Sequence, residues 1–317
     1  MKRDIYHSIT DRIVADLDKG VRPWHQPWSA AHSDGRIVLP RRHNGVAYRG
    51  VNILALWMAA AHKGYRSPIW MTFKQAADLG GAVRKGEKAS LTFYADTIKL
   101  VEPDDNGEES ERESHYLKSY YVFNVDQIKG LPEPYSAKPE PRLEVLPRNA
   151  RAEAFFAATG ANVRHGGDRA YYATGSDHIQ MPPFERFRDT ESYYATLAHE
   201  CTHWTRHESR LARSFGQKRF GDDGYAMEEL VAELGAAFLC ADLQLTPDVR
   251  EDHVNYLGHW LNVLRTDKRA IFAAAAHAQK AADHLHSLQR KTIKAAATCQ
   301  PIQSRRRKKL CRRCAGR

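Results

Sequence analysis

Hydrophobic positions recur at helical spacing along most of the chain and alternate with polar ones in its middle. Apolar residues three and four apart predict an amphipathic helix, whereas strict alternation predicts a strand. By the first criterion helices are predicted over 4–19, 52–62, 70–79, 151–159, 190–212, 225–243, 248–264 and 267–290. By the second, strands are predicted over 91–101 and 116–124, with two short strands inside 170–181.

Five prolines between Leu131 and Pro147 divide this pattern into two parts. Proline-rich segments are extended and favour linkers, so we predict a first domain over 1–130, a linker over 131–148 and a second domain over 149–290. Strands and helices are segregated along the chain, which indicates the α+β class. The first domain is predicted to be α+β and the second mainly helical, followed by a basic disordered tail over 291–317.

Amino-acid composition indicates a globular protein. The 317 residues are 42% hydrophobic and 27% charged, which is typical of a globular chain with room for two cores. We find no run of eighteen apolar residues and no charged-then-apolar leader, so we predict a cytoplasmic protein with no membrane partner. Five cysteines are an odd count that favours free thiols over a disulfide framework.

The net charge of +10 is concentrated at the two ends of the chain. Residues 1–101 carry sixteen Lys and Arg against eight Asp and Glu, and residues 290–317 carry eleven against none. A polyanion should therefore meet the N-terminal region or the tail. The tail also holds Cys311 and Cys314, but the absence of a second pair at finger spacing argues against a zinc knuckle.

The segment His199-Glu200-Cys201-Thr202-His203 carries the strongest chemical signal. On a helix, residues four apart share one face, so His199 and His203 can each direct an imidazole nitrogen at one metal ion. Glu200 then lies beside the reacting position, where a carboxylate can act as general base. The alternative is a solvated helix face carrying two histidines and a glutamate.

A third ligand is expected from the helix predicted over 225–243. We assign Glu229 as that ligand, because a carboxylate inside an apolar helix needs a compensating partner such as a metal ion. Glu233, one turn further, is predicted to be the acceptor that orients a ligand histidine. Glu228 is the rival ligand, and an ordinary exposed glutamate pair is the structural alternative.

His207 is a less suitable third ligand. On a continuous helix it would lie about 12 Å along the axis from His199, too far to share one ion with it. The ligand types favour Zn²⁺, although a site of two histidines and one glutamate also accepts Mn²⁺ or Co²⁺.

Aromatic rings and cations are interleaved between residues 22 and 88. This combination suits single-stranded DNA, because cations meet phosphates and flat rings stack on unpaired bases. Solvated basic turns and core tryptophans are the structural alternatives. The candidate contacts are Trp24, Arg41, Arg42, Tyr48, Arg49, Asn52, Lys74, Gln75, Arg84, Lys85 and Lys88.

These segments resemble a known family. His199 to Thr205, followed by the segment from Tyr225 to Phe238, is similar to the zincin-like metallopeptidase domain of plasmid and phage "polyvalent" proteins. Arg22-Pro23-Trp24, the segments 48–52 and 70–76, and Arg84 to Lys88 resemble the N-terminal domain of ArdC-type antirestriction proteins and of TraC-type primases.

The resemblance implies a cytoplasmic protein that binds single-stranded DNA and protects an incoming plasmid from restriction during conjugation. It makes Tyr48, Arg49, Asn52, Lys74 and Gln75 the preferred DNA contacts. It also implies a peptide bond in a protein substrate as the target of the metal site. Tyr225 is a candidate oxyanion donor, with a packing role as the alternative.

Two other functions remain open at this stage. One is a DNA-binding protein whose metal is purely structural and which catalyses nothing. The other is a toxin-like peptidase delivered to another cell, for which a secretory leader would be expected.

Overall fold

The computed structural model describes residues 5–24, 38–103, 109–136, 145–216, 223–245 and 257–298. Helices are α1 (Ile5–Leu17), α2 (Val51–Lys63), α3 (Phe73–Asp78), α4 (Glu133–Ser136), α5 (Val145–Ala157), α6 (Thr190–Trp204), α7 (Asp223–Leu243), α8 (Leu257–Thr266) and α9 (Ala270–Thr298). Strands are β1 (Arg41–Arg42), β2 (Ile69–Met71), β3 (Ala82–Val83), β4 (Ser90–Pro103), β5 (Glu109–Asn124), β6 (Ile128–Lys129), β7 (Asn162–His165), β8 (Tyr171–Ala173) and β9 (His178–Met181).

The strands form three small sheets. The largest has the order β1-β2-β5-β4, with β1 parallel to β2 and the other neighbours antiparallel. Strands β3 and β6 pair with each other, and β7-β9-β8 form a separate sheet beside α6. The α+β class and the mainly helical second part are confirmed. Strand β8 lies at an edge of its sheet, within the predicted strand pair.

Local sequence explains three helix boundaries near the candidate residues. Thr72 and Gln75 form a reciprocal capping box that starts α3, so the predicted helix over 70–79 begins three residues later, after a short strand. Gly64 closes α2 in the left-handed conformation with φ 69°, and its N–H bonds to the Ala60 carbonyl. The Asp189 side chain accepts from Ser192 N and starts α6.

The predicted helix over 190–212 ends early, at Trp204. Arg210 reaches back to donate from Nε to the Trp204 carbonyl at 2.7 Å, and Arg213 donates to the Thr202 carbonyl at 2.9 Å. Two arginines therefore satisfy carbonyls that a continuing helix would otherwise have bonded. His207 consequently lies in the turn beyond the helix.

The predicted linker contains helix α4 and the first residues of α5. The proposed tail likewise begins as helix, because α9 continues to Thr298, and the rest of it lies outside the described residues. No helix within the described ranges is long and apolar enough to span a membrane. Cys201 and Cys240 are buried free thiols, and the other three cysteines lie outside the described residues.

One large apolar core runs through both halves of the chain. Ile13 of α1 and Trp57 of α2 belong to the same cluster as Leu234 of α7 and Trp260 of α8, all nearly inaccessible to solvent. The rings of Trp57 and Phe238 lie 6.0 Å apart across this boundary. The division into 1–130 and 149–290 stays a prediction, but the two halves are joined by a shared core.

Two other clusters complete the interior. One surrounds α6 and the β7-β9-β8 sheet and includes Leu197, Ala198 and Ile179. The other, which we call the small core, consists of Met71, Ala76, Val125 and Ile128 in the first half. Phe123 packs against the small core from β5.

Candidate metal centre and nucleic-acid surface

Helices α6 and α7 pack side by side and bring three buried side chains to one point. His199 Nε2 and His203 Nε2 lie 3.1 Å apart. Glu229 places one carboxylate oxygen 3.5 Å from His199 Nε2 and the other 3.5 Å from His203 Nε2. The structure thus brings together the two histidines and the glutamate that the sequence assigns as ligands.

The spacing of these atoms fits a tetrahedral cation. Ligands about 2.0–2.1 Å from a tetrahedral ion lie about 3.4 Å from one another. The two ring nitrogens lie 3.1 Å apart, and each lies 3.5 Å from a different oxygen of Glu229, so all three side chains direct ligand atoms at one point. The donor set of two imidazoles and a carboxylate therefore fits a divalent metal ion without rearrangement of the helices.

Glu228 holds His203 from the opposite side. The Nδ1 atom of His203 lies 3.1 Å from Glu228 Oε1, so the ring donates its Nδ1 proton there and directs Nε2 at the centre. The sequence assigned the orientation of a ligand histidine to Glu233; for His203 this partner is Glu228, and the role of Glu233 stays a prediction. Glu233 lies one turn further along α7, with Oε1 3.8 Å from Nη1 of the buried Arg22.

Arg213 fixes Glu228 in turn. Its Nε donates to Glu228 Oε2 at 2.8 Å and its Nη2 to Oε1 at 2.7 Å, a bidentate pair. Nη1 donates to Thr205 Oγ1 at 3.0 Å. Both members of the pair are buried, and the sequence offered no signal for Arg213 because its partner is fifteen residues away on another helix.

Neighbouring charges shift the pKa values of the ionisable side chains in the metal centre. Burial opposes a charge on His203, but Glu229 and Glu228 outweigh it and raise the pKa of His203 to about 10. Burial opposes ionisation of Glu228, but Arg213 and His203 lower its pKa to about 2. The same balance holds the pKa of Glu229 well below its usual value. A cation at this point would replace the imidazolium proton as the counter-charge of Glu229.

The helix contact beneath the site is unusually close. A Cβ atom added at Gly235 of α7 would lie 2.5 Å from Thr202 Cγ2 and 2.7 Å from Thr202 Oγ1 on α6. Thr202 is fully buried and donates from Oγ1 to the Ala198 carbonyl at 2.8 Å. The absence of a side chain at Gly235 allows the approach that places Glu229 against the two histidines. Glu200 is also buried, directly after His199 on α6.

The structure separates the DNA-contact candidates into buried and exposed groups. Trp24 is fully buried edge-to-face against Trp260, and Tyr48 is buried beside Arg42. Neither ring is accessible to a base, so their assignment as stacking contacts is wrong. Tertiary packing, which the local sequence does not reveal, removes both from the surface.

Two further candidates carry out local structural roles. The Asn52 amide bonds both backbone groups of Phe93, at 2.8 and 2.7 Å, and so covers the edge of β4. Gln75 completes the capping box of α3. Their assignment as DNA contacts stays a prediction, although each amide is already bonded within the fold.

The cationic candidates are all exposed: Arg41, Arg42, Arg49, Lys74, Arg84, Lys85 and Lys88. Arg49 forms an ion pair with Asp283 of α9. Arg84 donates to the Asp126 carbonyl and lies 3.5 Å from Glu87, at the border of a cavity of about 640 Å³. Lys63 and Arg66 line the same cavity, beside Tyr65 and Tyr135. Their contact with DNA stays a prediction.

The chain matches two protein families in succession. Residues 3–123 match the family described as the N-terminal domain of anti-restriction factor ArdC, and residues 150–277 match the zincin-like metallopeptidase family. The "Uncharacterized protein y4eC" of Sinorhizobium fredii is 42% identical over 292 residues, covering 90% of this chain and 92% of that protein. "DNA primase TraC" of Escherichia coli is 36% identical over 96% of this chain, which spans only 29% of the primase.

Two solved structures share the whole architecture. The metal-free antirestriction protein ArdC of plasmid R388 superimposes with a TM-score of 0.76 at 46% identity, covering 91% of this chain and 98% of that one. Its Mn(II)-bound form gives a TM-score of 0.73 at 45% identity, over 90% and 98%. The zincin-like domain and this manganese-bound relative indicate a divalent metal here. The chain therefore belongs to the ArdC family of antirestriction proteins.

Proposed function

We propose that His199, His203 and Glu229 hold one divalent cation and that this centre hydrolyses a peptide bond in a protein substrate. The observation that carries the proposal is the convergence of three buried side chains, with two imidazole nitrogens 3.1 Å apart and each of them 3.5 Å from one oxygen of the Glu229 carboxylate. When bound, such a cation supplies Lewis acidity that polarises a carbonyl group. Zn²⁺ is preferred for its ligand types, and Mn²⁺ is the ion named for the R388 relative.

The chain's own side chains supply the remaining chemistry. Glu200 follows the first ligand histidine and is the proposed general base, taking a proton from the attacking water and returning it to the leaving amine. Glu228 keeps His203 in the tautomer that presents Nε2 to the centre. Strand β8, at the edge of the sheet beside α6, provides backbone groups to which an extended peptide can pair.

Metal analysis of the purified full-length protein tests the ligand assignment. We expect about one equivalent of divalent metal, and its loss in His203→Ala. The matched control is His207→Ala, because His207 lies beyond the helix and bonds to Ser209 instead of facing the cluster. Metal that persists in His203→Ala, or disappears equally in His207→Ala, would contradict the assignment.

Glu200→Gln separates hydrolysis from a purely structural metal. The variant should keep its metal and its DNA affinity but lose plasmid protection in a conjugation assay against a restricting host. If protection survives unchanged, the alternative holds, and the protein acts through DNA binding with a structural cation. Glu185→Gln, an exposed glutamate outside the cluster, serves as the control for the substitution itself.

We propose further that the first half binds single-stranded DNA, and that the protection of incoming plasmid DNA in the cytoplasm during conjugation requires this binding as well as the metal centre. The supporting observation is that every cationic candidate between residues 41 and 88 is exposed, while the overall charge of residues 1–101 is strongly positive. Phosphate contacts release counterions, so affinity should fall steeply with salt.

Binding should be measured on the full chain, because the halves share a core that truncation would open. Anisotropy of a labelled single strand between about 50 and 200 mM salt gives the slope. Charge reversal at Arg41 and Arg42 together should weaken binding and flatten this slope. The control is charge reversal at Arg186 and Arg188, on the side of the metal half, which should leave the slope unchanged. Equal effects of both pairs would place the binding surface elsewhere.

A further inference from the structure

Two large aromatic side chains of the first half are exposed to an unusual degree. Phe73 is 63% and Tyr121 62% accessible, whereas Trp24, Tyr48 and Trp70 are buried. Exposed aromatic rings lose the favourable burial that normally keeps them in the core. Among the rings between residues 22 and 88, a ligand can therefore reach Phe73 but not Trp24, Tyr48 or Trp70.

Tyr121 lies on β5 of the largest sheet, and Phe73 begins α3 two residues after the end of β2 of that sheet. Tyr121 and Phe123 are two residues apart on β5 and so point to the same face. Phe123 pairs in register with Met71, and the chain reaches Phe73 two residues after Met71. The Phe73 and Phe123 rings meet edge to face with centroids 6.4 Å apart. We call Phe73, Phe123 and Tyr121 the aromatic row.

Phe123 anchors the aromatic row, whereas Phe73 and Tyr121 are exposed to solvent. Phe123 packs on the small core and is half-buried, which holds the row in place. Side chains two apart on a strand lie about 6.8 Å from each other, so consecutive flat ligands can use different rings. Preorganised rings stack without first having to become ordered.

Cations border the same region. Lys74 follows Phe73 and is exposed. The small core that supports Phe123 also contributes Val125 and Ile128 to the wall of a cavity lined by Lys63, Arg66 and Arg84 and by the acidic Glu87 and Asp126. Flat apolar rings bordered by cations are complementary to a single-stranded nucleic acid, with its unpaired bases and its phosphates. An apolar protein partner would not account for the cations.

We propose that the aromatic row is the stacking platform for unpaired bases, with Phe73 and Tyr121 each contacting a base and Phe123 supporting them. The platform gives the proposed DNA binding its selectivity for single strands, because bases in a duplex cannot stack on protein rings. The inference rests on that proposed function, and it assigns to it residues outside the set suggested by the sequence.

The test uses the full-length protein and a labelled oligothymidylate, which stays unpaired. Each of Phe73→Ala and Tyr121→Ala should weaken binding about 5- to 150-fold, the range for removal of one stacked base. The slope of affinity against salt should not change, because the lysines and arginines that meet phosphates are all retained. Phe73→Trp and Tyr121→Phe should retain the affinity, since both keep a flat ring.

Tyr94→Ala is the matched control. Tyr94 is 50% exposed on the neighbouring strand β4, but it pairs with Lys118, which points to the opposite face from Tyr121. This variant should bind as the parent does. Thermal unfolding of every variant checks that folding is unchanged, as expected for exposed positions.

The outcomes separate the two proposals. If the parent binds single strands with a steep salt dependence but both alanine variants bind equally well, the platform is wrong and the DNA-binding function stands. A loss as large in Tyr94→Ala, or a loss shared by the Trp and Phe variants, also overturns the platform. If the parent shows no salt-sensitive binding, the DNA-binding proposal itself fails.

Discussion

The metal centre and the aromatic row use opposite means to present reactive groups. In the centre, polar side chains are buried and each is held by another, as His203 is held by Glu228 and Glu228 by Arg213. In the row, Phe73 at the start of α3 and Tyr121 on β5 are exposed, and the half-buried Phe123 supports them. Removing one partner of a buried ion pair destabilises a fold, whereas substitutions at exposed positions are nearly neutral. The comparison predicts that mutations in the first region change stability and those in the second change only binding.

The largest stability effect should come from breaking the buried ion pair. Glu228→Ala leaves the Arg213 guanidinium buried without its bidentate partner, which typically destabilises by about 3–5 kcal/mol. Urea unfolding of the metal-free protein measures this. The double variant Arg213→Met with Glu228→Leu removes both charges and should recover part of the loss. No recovery would mean that the charges do not act as a pair.

A smaller loss of stability is expected from a substitution at the contact between α6 and α7. Gly235→Ala places a methyl group against Thr202, and overpacking of this kind costs about 1–3 kcal/mol. It should also lower metal affinity, because the ligands sit on the two helices that are forced apart. Gly258→Ala is the control, since a Cβ there meets nothing within 4 Å. Equal unfolding curves for Gly235→Ala and the parent would contradict the close contact.

Asp177 should make the free energy of unfolding depend on pH, because it pairs with Arg210 just beyond the end of α6. Hydrogen bonding to Arg210 lowers the pKa of Asp177 from 3.8 to about 2. The stabilisation is thus complete above pH 3.8 and is lost as the pH falls towards 2. Asp177→Asn should remove this part of the acid sensitivity in urea unfolding between pH 6 and pH 2.5. Glu228 titrates in the same window and remains in both proteins, so only their difference reports on Asp177.

The smallest stability effect should be found on the cationic surface. Lys85→Ala with Lys88→Ala should change the free energy of unfolding by no more than about 0.5 kcal/mol, because both side chains are exposed. The salt slope of DNA binding should fall by about one for each phosphate that the variant no longer neutralises. A large drop in thermal stability with an unchanged salt slope would contradict the prediction that exposed residues affect DNA binding but not stability.

The contrast between the metal centre and the first half also explains which site residues the sequence could predict. His199 and His203 could be placed from spacing alone, because four residues on a helix always share a face. The choice between Glu228 and Glu233 depends on how α7 is rotated against α6, which no local pattern encodes. The end of α6 at Trp204 depends on Arg210 and Arg213 reaching back from a later turn.

In the first half, the sequence predicted the exposed cations better than the accessible aromatic rings. The cationic candidates between residues 41 and 88 proved exposed because lysine and arginine are rarely buried. Trp24 and Tyr48 could not be placed in the same way, since an aromatic ring suits both a core and a binding surface. Phe73 and Tyr121 become notable only when their exposure is measured.

The shared core bears on how such a protein can be inherited. Trp57 and Phe238 contact each other across the boundary between the two matched families, so neither half presents a finished surface by itself. A recombination event between the halves would expose apolar area that neither fragment can cover. The TraC primases align with 96% and 92% of this chain within much longer proteins, so both halves occur together there as well. The packing of those few helices thus favours transmission of both halves as one genetic unit.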